Sequence, residues 1–295
     1  MTRMIAIGIL ALVTILQAIG AASAQMDAVI VSLNRCADPS RAAESRIRDC
    51  MVVIGAQGVD QDEVAFAWLD LGLVYQSQGG DRQRELEAYS KAIVLQPDLW
   101  QARANRAGLY LEAGEGEKAL ADYLAMRQSG PDKVSLWRAK TNLEYRTGQI
   151  EGSTANRSDM DSPGREQAGY ANVLETLGHA LQTGFANRCR QRALAGLELD
   201  AALKDCDAAL QVNTADEVAH HARGVVEFRL TNWTTALAEF NTVLSSRPNA
   251  AESLFMKGII ERRMGNTPSG DTDIAAAKVI DATVENSYAR FGILP

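Results

Sequence analysis

The sequence predicts an all-α fold built from repeated helical hairpins. The chain of 295 residues resembles itself at a spacing of 34, as at Tyr89 and Tyr123 and again at Gly224 and Gly258. Within each period the apolar residues recur at i, i+3, i+4 and i+7, which places them on one face of a helix. A glycine-containing break separates two such faces, so each period predicts two antiparallel helices.

The clearest hairpin has its first helix predicted over 65–77 and its second over 82–95. Gly72 falls in the middle of the first helix, and Gly224 and Gly258 fall at equivalent places in later hairpins. A glycine inside a helix costs about 1 kcal/mol relative to alanine. We therefore expect a neighbouring helix to approach closely at each of the three glycines.

These positions resemble the tetratricopeptide repeat, whose first helix carries Trp, Leu, Gly and Tyr and whose second carries Ala, an aromatic residue, Ala and Pro. The matching residues are Trp68, Leu71, Gly72, Tyr75, Tyr89, Ala92 and Pro97 in one hairpin, and Gly224, Phe228, Ala236, Phe240 and Pro248 in a later one. The resemblance implies an all-α solenoid of tetratricopeptide-repeat hairpins, here in two halves. It also implies that the first helices line a concave surface.

The first 24 residues predict a secretory signal peptide. Arg3 precedes an apolar run over 4–19, and Ala22-Ser23-Ala24 provides a cleavage site before Gln25. The predicted location is therefore the periplasm or the exterior. An uncleaved membrane anchor is the alternative, because about 20 apolar residues can span a bilayer.

A polar segment divides the remaining chain. Residues 133–148 are interpreted as one more first helix, and 151–168 lack a periodic apolar face and contain Pro163-Gly164. We predict an N-terminal repeat segment over 25–150, a linker or long loop over 151–168 and a second repeat segment over 169–295.

Four cysteines in an exported chain predict disulfides. In an antiparallel hairpin, residues at the same height have position numbers with a constant sum. Cys189 and Cys206 have the same sum as Ala193 and Ala202, and the hairpin geometry therefore predicts a bridge between the two cysteines. The remaining local pair is Cys36 and Cys50. Buried reduced thiols are the alternative for both pairs.

The whole chain is also similar to a group of tetratricopeptide-repeat proteins found in alphaproteobacteria. The similarity is carried by the stretch NRCRQRALAGLELDAALKDCDAAL and by the ending GDTDIAAAKVID with YARFGILP. It implies a periplasmic repeat protein of undefined role and supplies no catalytic residues.

Catalytic signatures are missing from the sequence. The chain has three histidines and no H-E-x-x-H, G-x-S-x-G or phosphate-binding glycine loop. We predict no enzyme activity, no metal site and no cofactor. The formal net charge of −7 argues against nucleic-acid binding. The alternative function is an enzyme or small-ligand binder of the cell envelope with its site in the loop over 150–167.

Basic side chains outnumber carboxylates on the predicted first helices. This pattern predicts a basic groove that binds a protein or peptide segment, and acidic segments are among the ligands that such a groove would suit. The candidate groove residues are Asn142, Arg146, His221, Phe228, Arg229, Phe255, Ile259 and Arg262. Two alternatives remain: the cations compensate helix dipoles and the phenylalanines belong to the core, or another copy of the chain fills the groove. The oligomeric state is left open.

Overall fold

The protein is described by a computed structural model over residues 26–79, 81–130 and 163–295, with side chains of the last range described from residue 168. The helices are α1 (26–37), α2 (Ala43–Gly55), α3 (Gln61–Ser77), α4 (Arg82–Leu95), α5 (Trp100–Glu112), α6 (Gly116–Ser129), α7 (Pro163–Ala195), α8 (Leu199–Val212), α9 (Glu217–Arg229), α10 (Trp233–Ser246), α11 (Ala251–Arg263), α12 (Thr267–Ile280) and α13 (Val284–Ala289). None of these residues forms a strand.

The predicted fold class is confirmed. Helices α3 and α4, α9 and α10, and α11 and α12 form antiparallel hairpins, and successive hairpins pack against each other. The close approach predicted at the mid-helix glycines is also confirmed. A Cβ on Gly224, for example, would lie 2.8 Å from ring atoms of Phe240 in the partner helix. The absence of a side chain is therefore what lets the two helices pack.

The chain divides into two compact units. The first contains the described residues up to Ala113, the end of α6 and the start of α7 as far as Tyr170. The second unit contains Gly114–Leu124 and Ala171–Pro295. Its core is a continuous cluster drawn from α7 to α13, and Phe240 and Phe255 are its largest fully buried side chains.

Helix α7 begins at Pro163, inside the predicted linker. The loop predicted for 163–168 is therefore wrong, and proline suits the first turn of a helix because its missing N–H has no partner there anyway. Residues 151–162 and the helix predicted over 133–148, with Asn142 and Arg146, lie outside the described residues. The boundaries 25–150 and 169–295 stay a prediction.

Both predicted disulfides are confirmed. Cys36 and Cys50 are bonded with their Cα atoms 4.8 Å apart, and Cys189 and Cys206 with theirs 5.3 Å apart. All four cysteines are fully buried. The second bridge joins α7 to α8 at one height of the hairpin, as the constant-sum relation predicts.

The described helices show no membrane span: none is both long enough and apolar enough to cross a bilayer. The predicted signal peptide and its cleavage site at Ala24 and Gln25 lie outside the described residues.

Removing the N-cap of α9 should destabilise the second unit. The buried carboxylate of Asp216 accepts hydrogen bonds from the backbone N–H groups of Val218 and Ala219. We expect Asp216→Ala to lower the free energy of unfolding by about 1 kcal/mol, and Asp216→Asn to lower it less, because asparagine is also a good N-cap. Urea denaturation of the two variants measures both effects, and equal losses would show that the cap is not the cause.

Candidate functional site

The candidate site is the surface of the second unit formed by its first helices. These are the C-terminal half of α7, α9 and α11. Their second helices are α8, α10 and α12, respectively. We call this surface the first-helix face. Helix α7 takes its place in the stack by packing on α6, where a Cβ on Gly178 would lie 2.8 Å from the hydroxyl oxygen of Tyr123.

The first-helix face is covered by residues 281–295 of the same chain. This segment comprises residues 281–283, the short helix α13, and the turn and irregular residues that follow it. Three of its side chains, Val284, Tyr288 and Ile293, are buried and belong to the core cluster of the second unit. The rings of Tyr288 and Phe255 lie with centroids 5.6 Å apart. The predicted open groove is therefore wrong for this unit, because the chain itself fills it.

A buried polar group connects the segment to two first helices. The ring of His221 on α9 lies 2.8 Å from Ser253 Oγ through Nδ1 and 2.6 Å from the Tyr288 hydroxyl through Nε2. Burial, together with the positive charges of Arg190 and Arg247, lowers the pKa of His221 to about 4. The ring is therefore neutral at pH 7, donating at one nitrogen and accepting at the other.

Two arginines hold the segment through its backbone. Arg229 at the end of α9 donates to the carbonyl oxygens of Ala193 and Leu194 in α7, and also to that of Phe291 at 3.0 Å. Burial lowers the pKa of Arg229. Arg263 at the end of α11 reaches the carbonyl oxygen of Leu294 at 3.5 Å. These contacts are independent of side-chain identity because they are made to backbone carbonyls.

The space that remains between the segment and the face is small. It has a volume of about 40 Å³ and lies among Arg190, Leu194, Val225, Glu252 and Phe291. A drug-sized ligand occupies a pocket of about 300 Å³ or more. The site as it stands therefore has no room for an organic ligand of that size.

Apart from Arg229, the described members of the predicted groove fall into three groups. His221 and Phe255 are buried against Tyr288 of the 281–295 segment, and Ile259 is buried in the core cluster of the second unit, so none of the three lines an open groove. Phe228 is a core residue, with the guanidinium carbon of Arg263 4.6 Å from its ring centroid. Arg262 pairs with Asp271 on α12 and thus faces its hairpin partner.

The prediction of a basic groove is also wrong, because carboxylates on the second helices pair with the first-helix cations. Three of these carboxylates recur at the 34-residue spacing: Asp205 accepts from Arg188 and Arg192, Glu239 from Arg223, and Asp273 from Lys257. The pKa of Arg188 is raised, chiefly by its hydrogen bond to Asp205. Sequence reasoning missed these pairs because it counted charge on the first helices alone, although the spacing was a readable signal.

Within residues 26–79, 81–130 and 163–295, no group of three or more His, Cys, Asp or Glu side chains is placed to hold a metal ion. His220 is engaged by Glu239 at 2.7 Å and by the carbonyl oxygen of Thr214 at 2.9 Å. These two contacts give it a structural role in the α9–α10 hairpin.

Acid should weaken the second unit through His221. Its pKa is near 4 when folded and 6.5 when exposed, so the unfolded chain binds the extra proton between these values. The stabilisation is complete above pH 6.5 and is lost as the pH falls toward 4. We expect a loss of about 2 kcal/mol between pH 7 and pH 5.

The matched control for this prediction is His221→Gln, which keeps a donor and an acceptor but does not titrate. Urea unfolding of both proteins at pH 7 and pH 5 gives the difference directly. Parallel losses in the two proteins would assign the acid effect to carboxylates elsewhere in the chain.

The chain is similar to several solved structures at low sequence identity and low TM-score. No protein-family model matches the sequence, and no curated protein matches it. Among solved structures, the chain is similar to YrrB, described as a tetratricopeptide-repeat protein with an unusual peptide-binding site, at 15% identity over 77% of this chain and 91% of that one, with a TM-score of 0.37. It is also similar to a tetratricopeptide-repeat protein from Parabacteroides merdae, at 18% identity over 84% of this chain and 80% of that one, with a TM-score of 0.30. A third similar structure is PilF of Pseudomonas aeruginosa, at 15% identity over 79% of this chain and 98% of that one, with a TM-score of 0.33.

Proposed function

We propose that this chain is an exported protein-interaction scaffold that binds a segment of another protein on the first-helix face of its second unit. The observation that carries the proposal is that this face holds a chain segment already, through an apolar floor, a buried hydrogen bond between His221 and Tyr288, and arginines that bind backbone carbonyls. Groups of this kind recognise a polypeptide backbone with a few apolar anchors. Export is supported by the predicted signal peptide and by the two disulfides, which persist in oxidising compartments.

The pairing of charges favours an amphipathic partner over an acidic one. On the helices of the first-helix face, five of the eight Lys and Arg side chains pair with carboxylates of their own hairpins, so a purely electrostatic attraction has few charges to use: these five are Arg188, Arg192, Arg223, Lys257 and Arg262. The groups directed at the 281–295 segment are instead the aromatic ring of Phe255, the imidazole of His221 and the fork of Arg229. The net charge of −7 agrees with a protein partner rather than a nucleic acid.

Site-specific photocrosslinking in the native compartment tests the proposal. A photoreactive amino acid is placed at Arg190, which is exposed beside the 281–295 segment, and in a control at Lys204, which is exposed on the second helix α8. We expect an adduct with another protein from position 190 and none from position 204. Adducts of equal yield at both positions, or none at either, would reject binding on the first-helix face.

A further inference from the structure

We propose that residues 281–295 are a displaceable internal ligand, and that the external occupant of the same face is an amphipathic segment of another protein with the same anchor pattern. In that pattern a valine is followed four residues later by a tyrosine and, after five more, by an aliphatic side chain. The inference deepens the function proposed above and rests on it.

The course of the segment distinguishes an occupant from an end cap. A cap that continued the stack would contact only the last hairpin, formed by α11 and α12. Residues of the segment instead reach three successive first helices: Tyr288 contacts Phe255 on α11 and His221 on α9, and Phe291 lines a shared space with Leu194 on α7. The segment therefore runs across the first-helix face, where an external ligand would lie.

The anchors define what a competing segment must supply. Val284, Tyr288 and Ile293 enter the core cluster, and the Tyr288 hydroxyl satisfies a nitrogen of the buried His221 ring. A ligand without that hydroxyl leaves a buried polar atom unpaired, which is costly. The bonds from Arg229 and Arg263 go to backbone carbonyls, so any chain on the same path receives them. The tyrosine and the two aliphatic positions therefore determine which segments can bind.

Several features make the segment displaceable. Only three of its fifteen side chains are buried, whereas ordering the backbone of every residue has an entropic cost. Helix α13 has 6 residues, and isolated helices shorter than about 12 residues are unstable in water. Covalent attachment instead favours the bound state by giving the segment a local concentration in the millimolar range. Weakening the anchors should let an external segment take its place.

An edge contact adds one preference. Lys278 at the end of α12 pairs with Glu285, which follows the first anchor, Val284. Both side chains are partly exposed, so the pair contributes little energy. It nevertheless favours a competing segment that carries an acidic residue immediately after its valine.

The test uses the full-length oxidised chain and a fluorescently labelled synthetic peptide with the sequence of residues 281–295. The released variant is Tyr288→Ala/Ile293→Ala, and the matched control is Asn286→Ala/Leu294→Ala, which alters two exposed side chains of the same segment. We expect the released variant to bind the peptide at least about tenfold more tightly than the wild type and the control. A peptide with Tyr288→Phe should bind the released variant about tenfold more weakly than the unmodified peptide.

Hydrogen exchange on the unaltered chain provides a measurement that does not depend on a variant. Amide hydrogens over 284–293 should exchange faster than those in the middle of α9 and α11, because local opening requires less free energy than global unfolding. Exchange of the segment at the global rate would overturn the inference, as would a released variant of native helicity that binds the peptide no better than the wild type.

Repeating the crosslinking from position 190 separates the two proposals. An adduct that increases in the released variant and is competed by the peptide supports both. An adduct of equal yield in wild type and released variant, insensitive to the peptide, overturns the internal ligand but keeps the scaffold. Peptide exchange without any adduct supports the internal ligand and rejects the scaffold. A wild-type dimer that is lost in the released variant would assign the occupant to a second copy and overturn the external partner.

Discussion

Replacing Gly258 with alanine is expected to lower the free energy of unfolding of the second unit by about 3 kcal/mol. A Cβ at this position would lie 2.7 Å from the carbonyl oxygen of Gly270 and 2.8 Å from Cγ1 of Ile274. One of these neighbours is the backbone of the partner helix α12, which cannot rotate away as a side chain can. The two helices must therefore move apart, and overpacking of this kind outweighs the gain of about 1 kcal/mol from the better helix former.

Gly184 provides the matched control. It lies within α7 in the same unit, and a Cβ there would meet nothing within 4 Å. Gly184→Ala should therefore raise the free energy of unfolding by about 0.5 to 1 kcal/mol through helix propensity alone. Urea denaturation followed by circular dichroism measures both variants. A Gly258→Ala protein as stable as Gly184→Ala would contradict the close approach of α11 and α12.

Loss of the Cys189–Cys206 bridge is expected to cost the second unit about 3 kcal/mol. The bridge closes a loop with a sequence separation of 17. Closing a loop of this length lowers the conformational entropy of the unfolded chain, which stabilises the folded state by about 3 kcal/mol. The variant Cys189→Ala/Cys206→Ala should therefore unfold at lower urea concentration than the oxidised wild type. Because the Cys36–Cys50 bridge remains in this variant, the loss should be confined to the second unit.

The wild type under reducing conditions separates the bridge from the packing of its sulfur atoms. Both cysteines are fully buried, so alanine also leaves small cavities. Comparison of the reduced wild type with the double variant in the same reducing buffer isolates that cavity cost. If reduction alone left the stability of the wild type unchanged, the bridge would not be a stabilising feature, and its value as support for export would disappear.

The repeat architecture and the disulfides were readable from sequence because both depend on local spacing. The 34-residue recurrence gives the length of one hairpin, and the equal sums of position numbers place Cys189 opposite Cys206. The mid-helix glycines were equally informative, because a glycine in a helix needs a compensating contact and Phe240 supplies it for Gly224. The start of α7 at Pro163 was missed because Pro-Gly is typical of turns, although proline also suits a first helical turn.

The candidate site was only partly readable. Helical periodicity indicates which side of a helix a residue occupies, and His221 and Phe255 both contact Tyr288 of the 281–295 segment. Ile259 lies in the core cluster, and the role of the three residues in binding a partner stays a prediction. Arg262 was assigned to the wrong surface, because its partner Asp271 belongs to the other helix of its hairpin. Charge counted along one helix cannot show that a neighbouring helix neutralises it.

By itself, the sequence determined that the chain forms stacked helical hairpins with two bridges, because periodic apolar faces and residue spacing act over one or two helices. Only the tertiary structure decided that residues 281–295 return across three first helices and cover their face. That placement depends on contacts such as Tyr288 with His221, at a sequence separation of 67. No local pattern encodes such a contact, because the contact can form only after the hairpins have stacked into the surface on which the segment lies.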